Sequence, residues 1–259
     1  YFHNRFDNLV GNSSRAGEFP SSMSVQSIVE DPDGMLWVGA WGLGVVRYSP
    51  GDHDYQIFQI PDNRIYAVNA QQKNSIRVGT WGGGLYVLDP ANKSLAAYRY
   101  SQSVGSLPNH VVYSILEDAS GELWIGTNGG GVAHMDRNRR SLTAYVAQDA
   151  DPSALPMGKI TTGLVDRKGQ LWAAVYSGGL HRYDPDHHRW IHYRHSAHDP
   201  SSLGDDTCNY LYEDREGRLW VCTNEGLSLY HPETDSFTTF RHSASDPNSL
   251  SSDIIYALL

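Results

Sequence analysis

One stretch recurs along this chain and restricts its fold more than any other feature. In its fullest form, Ser114 to Asp136, it reads SILEDASGELWIGTNGGGVAHMD: a short apolar run, a D-x-x-G turn, a second run, a Gly-rich turn and a third run. Short apolar runs separated by tight turns describe antiparallel strands joined by hairpins. Related stretches begin at Ser27, Ala67, Thr162 and Tyr210. Anchored on Trp37, Arg77, Trp124, Trp172 and Trp220, they recur at spacings of 40, 47, 48 and 48 residues. A period in the forties with four short strands per unit is the mark of a β-propeller, in which one repeat cannot bury its apolar face until a neighbour stacks on it.

The expected architecture is therefore all-β, with four-stranded antiparallel blades over residues 25–60, 64–100, 110–146, 159–194 and 207–241. Residues 1–6 resemble the last strand of a preceding blade, and residues 252–259 (SDIIYALL) the first strand of a following one. Five whole blades with partial terminal blades read as a fragment of a larger propeller of about seven blades. Within each unit the turn Gly supplies a positive φ, its Asp bonds nearby backbone N–H groups, and a Pro after the third strand ends it by lacking a donor. The Trp on the second strand is expected between blades. Blades two and four depart from the pattern: Arg77 replaces Trp, Gln71 replaces the turn Asp, and Gly163 stands where neighbouring first strands carry a large apolar residue.

A formal net charge of −9 argues against nucleic acid as a partner, since that demands a basic face. With 40% hydrophobic residues a core is available, yet no apolar run reaches membrane-helix length, and the first residues read as mature sequence without a signal peptide. Cys208 and Cys222 flank one D-x-x-G turn; a bond between them is open, and two packed thiols are the preferred reading.

These repeats carry a family resemblance. The consensus S-I-x-E-D-x-x-G-x-L-W-V-G-T-x-G-G-G-L-x-x-Y-D-P, with F-x-x-Y and D-P-x-S-L-S after it, resembles the two-component-regulator propeller repeat. The resemblance implies a periplasmic sensor region of a bacterial inner-membrane receptor. Its output module would be a histidine kinase or a GGDEF diguanylate cyclase, and this region would carry no enzyme activity itself. It would act with its own downstream sensor domains, and a homodimer is an expected possibility.

In a four-stranded meander the turns between second and third strands share one face of the disc with the loops between blades. Two sets of equivalent positions reach that face. One set is Trp41, Trp81, Asn128, Tyr176 and Asn224; the other is Gln26, Tyr66, Tyr113, Thr161, Asn209 and Tyr256. Aromatic rings mixed with amides and hydroxyls suit a neutral polar ligand such as an oligosaccharide or another small molecule. The competing reading is that they fill the channel mouth and meet only water. No catalytic group, metal site or cofactor is expected. His187 and His188 fall on the turn opposite the face that carries His195 and His198, which splits the histidine cluster. The triple-Gly runs join two strands rather than a strand and a helix, so they are not phosphate loops. The carboxylates nearest to an acid–base pair are Asp205, Asp206 and Asp253, and an enzyme or a protein-binding scaffold are the alternative functions.

Overall fold

The computed structural model describes residues 24–52, 54–148 and 151–258. These residues form five four-stranded antiparallel sheets, each a simple meander in chain order. Blade one holds β1 (Ser24–Glu30), β2 (Leu36–Trp41), β3 (Gly44–Ser49) and β4 (Asp54–Phe58). Blade two holds β5 (Ile65–Gln72), β6 (Ser75–Thr80), β7 (Leu85–Asp89) and β8 (Ser94–Tyr98). Blade three holds β9 (Val112–Glu117), β10 (Leu123–Thr127), β11 (Val132–Met135) and β12 (Leu142–Tyr145). Blade four holds β13 (Ile160–Val165), β14 (Leu171–Val175), β15 (Gly179–Asp184) and β16 (Arg189–Tyr193). Blade five holds β17 (Cys208–Glu213), β18 (Leu219–Thr223), β19 (Gly226–His231) and β20 (Ser236–Phe240). The inner strands β1, β5, β9, β13 and β17 pack side by side in that order around a channel, so the chain is a β-propeller arc.

Apolar side chains gather between blades. Trp37, Val45 and Phe58 of blade one meet Ile65, Val68 and Ile76 of blade two, and Trp172 and Leu180 of blade four meet Cys208 and Leu211 of blade five. The second-strand Trp is thus wedged between sheets, and its indole N–H is satisfied inside its own repeat. Trp37 Nε1 donates to Asp31 at 2.8 Å, Trp124 to Asp118 at 3.3 Å, Trp172 to Asp166 at 3.2 Å and Trp220 to Asp214 at 2.8 Å. The turn Asp and the Trp six residues on are therefore one unit. A buried indole needs an acceptor, and the carboxylate that already caps the turn supplies it.

Blade two shows what happens when that unit is absent. Arg77 is buried, and it crosses to the next blade, pairing with Glu117 at 2.8 Å while also donating to Asn69 of its own blade at 3.1 Å. Gln72 adds a bond to the same carboxylate. Asn74, at φ 61°, takes the left-handed turn position that Gly34, Gly121, Gly169 and Gly217 hold elsewhere. Asn tolerates that conformation better than other side chains, which is why the departure is local. Gly163 is explained by its neighbour: a Cβ there would lie 2.7 Å from Leu116 of blade three, which occupies the missing volume.

The loops between blades are also repeated structures. Leu107, Leu155 and Leu203, the Leu of each Ser-Leu or Ala-Leu pair, are buried and pin the loop to the sheets. At the terminal segment the expectation needs correcting. Among residues 252–258 no strand forms, although Gly226 N donates to Asp253 O at 2.7 Å and Ile255 N to Thr223 O at 3.0 Å. A strand needs a ladder on a neighbour, and none is present beside this segment. The strand expected at residues 1–6 lies outside the described residues.

Candidate functional site

The second set of mouth positions is produced by a repeated irregularity. In every inner strand the pairing with the second strand slips by one residue near the top: between Val25 and Ser27, Ile65 and Ala67, Val112 and Ser114, Ile160 and Thr162, and Cys208 and Tyr210. The skipped residues are Gln26, Tyr66, Tyr113, Thr161 and Asn209. A bulge leaves its extra residue out of the ladder and re-aims the side chain. Strand alternation alone would point these residues at a neighbouring blade; the bulge turns them to the channel mouth.

The first set sits on the turns beside them. Backbone bonds hold those turns in place: Trp81 N donates to Arg64 O at 3.0 Å, Asn128 N to Val111 O at 3.2 Å, Tyr176 N to Lys159 O at 2.8 Å and Asn224 N to Thr207 O at 3.3 Å. Each of these four mouth residues is thereby tied to the residue immediately before its own inner strand.

The structure does not use the eleven positions equally. Trp41, Tyr66, Trp81 and Tyr113 form one aromatic cluster across blades one to three. Trp41 lies 5.3 Å from Tyr66 and 6.3 Å from Trp81; Tyr66 lies 5.5 Å from Trp81 and 4.5 Å from Tyr113; and Trp81 lies 6.2 Å from Tyr113. These tilted and edge-on geometries are those that aromatic quadrupoles favour. Trp81 stays 36% exposed, so the cluster is a platform and not part of the core. Trp41 Nε1 is buried without a partner. Burial beside Tyr66 pushes the Tyr113 hydroxyl up to about 12. An open channel of about 640 Å³, lined by the inner strands and including Tyr66, Tyr113, Thr161 and Asn209, lies beneath.

Blades four and five contribute polar groups that are already engaged. Asn209 Nδ2 donates to Asn224 Oδ1 and to Ile255 O, each at 3.0 Å, and Thr161 Oγ1 donates to Cys208 O at 3.1 Å. Gln26 Nε2 donates to Ser24 Oγ at 2.6 Å. Tyr176 and Tyr256 are exposed at 59% and 74% and join no aromatic pair among the described residues. Asn128 takes part through its backbone, bridging to Lys159.

Sequence reasoning missed Lys159. Its Nζ lies 4.1 Å from the centroid of the Tyr113 ring, which places a cation on the aromatic cluster. Burial pulls its pKa below the lysine value. The available signal was its position, immediately before the first strand of blade four, where blade two carries Arg64.

The carboxylates singled out earlier serve the backbone. Asp205 accepts from Thr207 N at 2.8 Å, Asp206 from His195 N at 2.7 Å, and Asp253 from His242 N at 2.5 Å. His187 bonds Asp184 at 2.9 Å and His195 bonds Leu203 O at 2.9 Å, on different loops. A second pair was not anticipated: His181 and His192, opposed on β15 and β16, share a bond between their Nδ1 atoms at 2.7 Å. Cys208 and Cys222 are buried free thiols, because Cys208 faces Thr223 across the ladder and Cys222 faces Tyr210.

A family model described as the two component regulator propeller matches residues 19–42, 106–129 and 202–225. The second and third matches run from an inter-blade loop through the inner strand and the D-x-x-G turn to one residue past Asn128 or Asn224, and the first covers β1, its D-x-x-G turn and Trp41. Three of the chain's repeats are two-component regulator propeller repeats. Solved structures share the propeller fold. One is the extracellular domain of the hybrid two-component system BT3049 from B. thetaiotaomicron, 19% identical with a TM-score of 0.70, matched over 91% of this chain and 37% of that one. Another is virginiamycin B lyase from Staphylococcus aureus, 10% identical with a TM-score of 0.69, matched over 90% and 74%. PorZ, a surface component of the type-IX secretion system of Porphyromonas gingivalis, is 16% identical with a TM-score of 0.65, matched over 91% and 35%. The repeats thus span little more than a third of the first of these chains. No curated protein matches the chain.

Proposed function

We propose that this chain is a ligand-sensing module of an extracytoplasmic bacterial receptor, and that a small polar ligand, an oligosaccharide in the first instance, binds on the aromatic face at the channel mouth. The observation that carries this reading is the convergence of Trp41, Tyr66, Trp81 and Tyr113, two of which are delivered by strand bulges. Scaffold positions repeat one residue type from blade to blade, whereas these do not. Exposed aromatic rings offer flat apolar faces to the C–H faces of a sugar, and the neighbouring amide and hydroxyl groups offer hydrogen bonds. The repeats match a family described by two-component regulation, which supports the receptor setting. A periplasmic position and a histidine kinase or diguanylate cyclase output follow from that setting.

Sensing of this kind is a population shift. The ligand biases one arrangement of the propeller against its downstream domains or a second receptor copy, in proportion to its differential affinity for the two. The test is a thermal-shift screen against neutral and charged oligosaccharides. A ligand that binds only the folded state stabilises by about 2.7 kcal/mol at a hundredfold excess over its dissociation constant. Trp81→Ala is expected to abolish a dose-dependent shift without lowering the unliganded midpoint by more than a few degrees. A shift that survives Trp81→Ala and Trp41→Ala together would rule this face out.

A further inference from the structure

The aromatic face has a charge asymmetry that its repeat pattern makes visible. The residue three places before the first residue of the inner strand is an Asx cap in three blades. Asp62 Oδ1 accepts from Arg64 N at 3.2 Å, Asn109 Oδ1 from Val111 N at 2.9 Å, and Asp205 Oδ1 from Thr207 N at 2.8 Å. In blade four the same place holds Met157, which is 74% exposed. The residue two places on from this cap is a cation in blades two and four, Arg64 and Lys159. Arg64 is neutralised by its own cap, with two bonds to Asp62 at 2.9 and 3.1 Å. Lys159 has lost that carboxylate, and among the described residues it forms no ion pair.

From this arrangement we infer that the ligand of the aromatic face is an acidic saccharide, carrying a carboxylate or a sulfate ester, and that Lys159 receives the anionic group. The inference rests on the reading of that face as a ligand site. Its physical basis is a half-buried ammonium held over the Tyr113 ring at 4.1 Å, in contact with the cluster and in no ion pair among the described residues. A desolvated cation without an anion is unfavourable, and a cation–π contact offsets only part of that loss. The rest of the chain is acidic, with a formal net charge of −9, so Lys159 is not one point on a general basic surface. Exposed Met157 where the repeat places an Asx cap is a local departure from the pattern. Departures of that sort gather at functional sites. The rings would take the sugar face, and the ammonium would take the charge at its edge as a charge-assisted hydrogen bond.

The experiment is calorimetric titration of the chain with three probes: a galacturonic acid oligomer, its methyl ester, and a sulfated galactose oligomer. The ester keeps the skeleton and removes the charge. An acidic probe is expected to bind roughly tenfold or more tightly than the ester, which is the range for a hydrogen bond to a charged group. Lys159→Met should erase that difference. Lys159→Arg should retain it, and the melting curve of each variant checks that it folds. Whichever acidic probe shows this dependence identifies the anion as carboxylate or sulfate. Equal affinity for acid and ester, or acid binding unchanged in Lys159→Met, overturns the role of Lys159 while leaving the aromatic site standing. Failure of all three probes to bind overturns the saccharide reading and this inference with it.

Discussion

The replacement of Trp by Arg77 in blade two shows how a repeat tolerates losing its signature, its answering carboxylate being the ordinary repeat Glu of blade three. Arg77 with Glu117 puts an ion pair buried between blades two and three, side chains 1% and 5% exposed, in place of an indole and its acceptor carboxylate. Burial pulls the Arg77 pKa down and Glu117 opposes it, so the pair is favourable only while both partners are present. Glu117→Ala is expected to lower stability by about 3–5 kcal/mol, because it strands a buried charge. Chemical denaturation measures it, and a loss below 1 kcal/mol would show that water reaches the site. The His181–His192 pair sets a second expectation. One Nδ1 donates and the other accepts, so the accepting ring is neutral, and burial disfavours the charged form of both. Burial, with the neighbouring His192 and Arg194, lowers His181 to about 3, and His192 is also lowered, with Asp151 opposing. Folded-state values below the unfolded one mean that the unfolded chain binds the protons first. Stability is therefore complete above about pH 6.5 and falls as the pH drops, with His181 alone contributing a loss of about 2 kcal/mol between pH 7 and pH 5. Asp118 and Asp214, lowered by their turn and indole bonds, add nothing until below about pH 4. A flat denaturation midpoint from pH 7 to pH 5 would contradict the assignment, and His181→Gln should flatten it.

At the scale of the element, the inter-blade loop is a fixed structure. Asp151 and Asp199 each accept from the Ser two residues on, Ser153 and Ser201, at 2.9 Å, and the following Leu enters the core. Leu203 is 1% exposed, whereas its counterpart Leu250, after blade five, is only partly covered. Leu203→Ala should cost about 2–5 kcal/mol, in the range for a filled core site, and Leu250→Ala distinctly less. Equal costs would mean that the loops are held by their hydrogen bonds and not by their leucines. The bulged inner strand is the other element with a function. Its extra residue changes which side chain meets solvent without moving the ladder that holds the blade.

For the whole molecule, each blade offers one face to its neighbour on either side, and among the described residues the outward faces of blades one and five are the less covered ones. Val25 and Ile28 on β1 are 42% and 44% exposed, yet their counterparts Ile65 and Val68 on β5 are 0% and 5% exposed. On blade five Trp220 is half-buried beside Phe240, which is 45% exposed, while Trp37 and Trp172 are almost completely covered. One such face is shaped to receive the other, because that is the contact made four times within the chain. The 259-residue chain is expected to self-associate head to tail at raised concentration. Ile28→Asp combined with Phe240→Asp, which sets like charges against each other across that contact, should return it to a monomer in sedimentation experiments. Association unaffected by that pair would place the contact elsewhere.

The sequence by itself determined the repeat, the four strands in each blade, the job of the Trp and the face on which variable residues gather. All of these depend on local spacing: a turn needs its Asp and Gly, a strand needs alternation, and a Pro ends it. It also marked Arg77, Gln71 and Gly163 as departures, but the groups that answer them, Glu117 and Leu116, lie in a neighbouring blade, and no local pattern names a partner 40 or more residues away. Tertiary structure alone decided that four aromatic residues from three blades touch, that His181 faces His192, and that Lys159 stands on Tyr113. The bulges are the clearest case. One skipped residue reverses side-chain parity, and a register is fixed only when two strands pair, so the side chains at the channel mouth are aimed by the fold and not by the alternation of the chain.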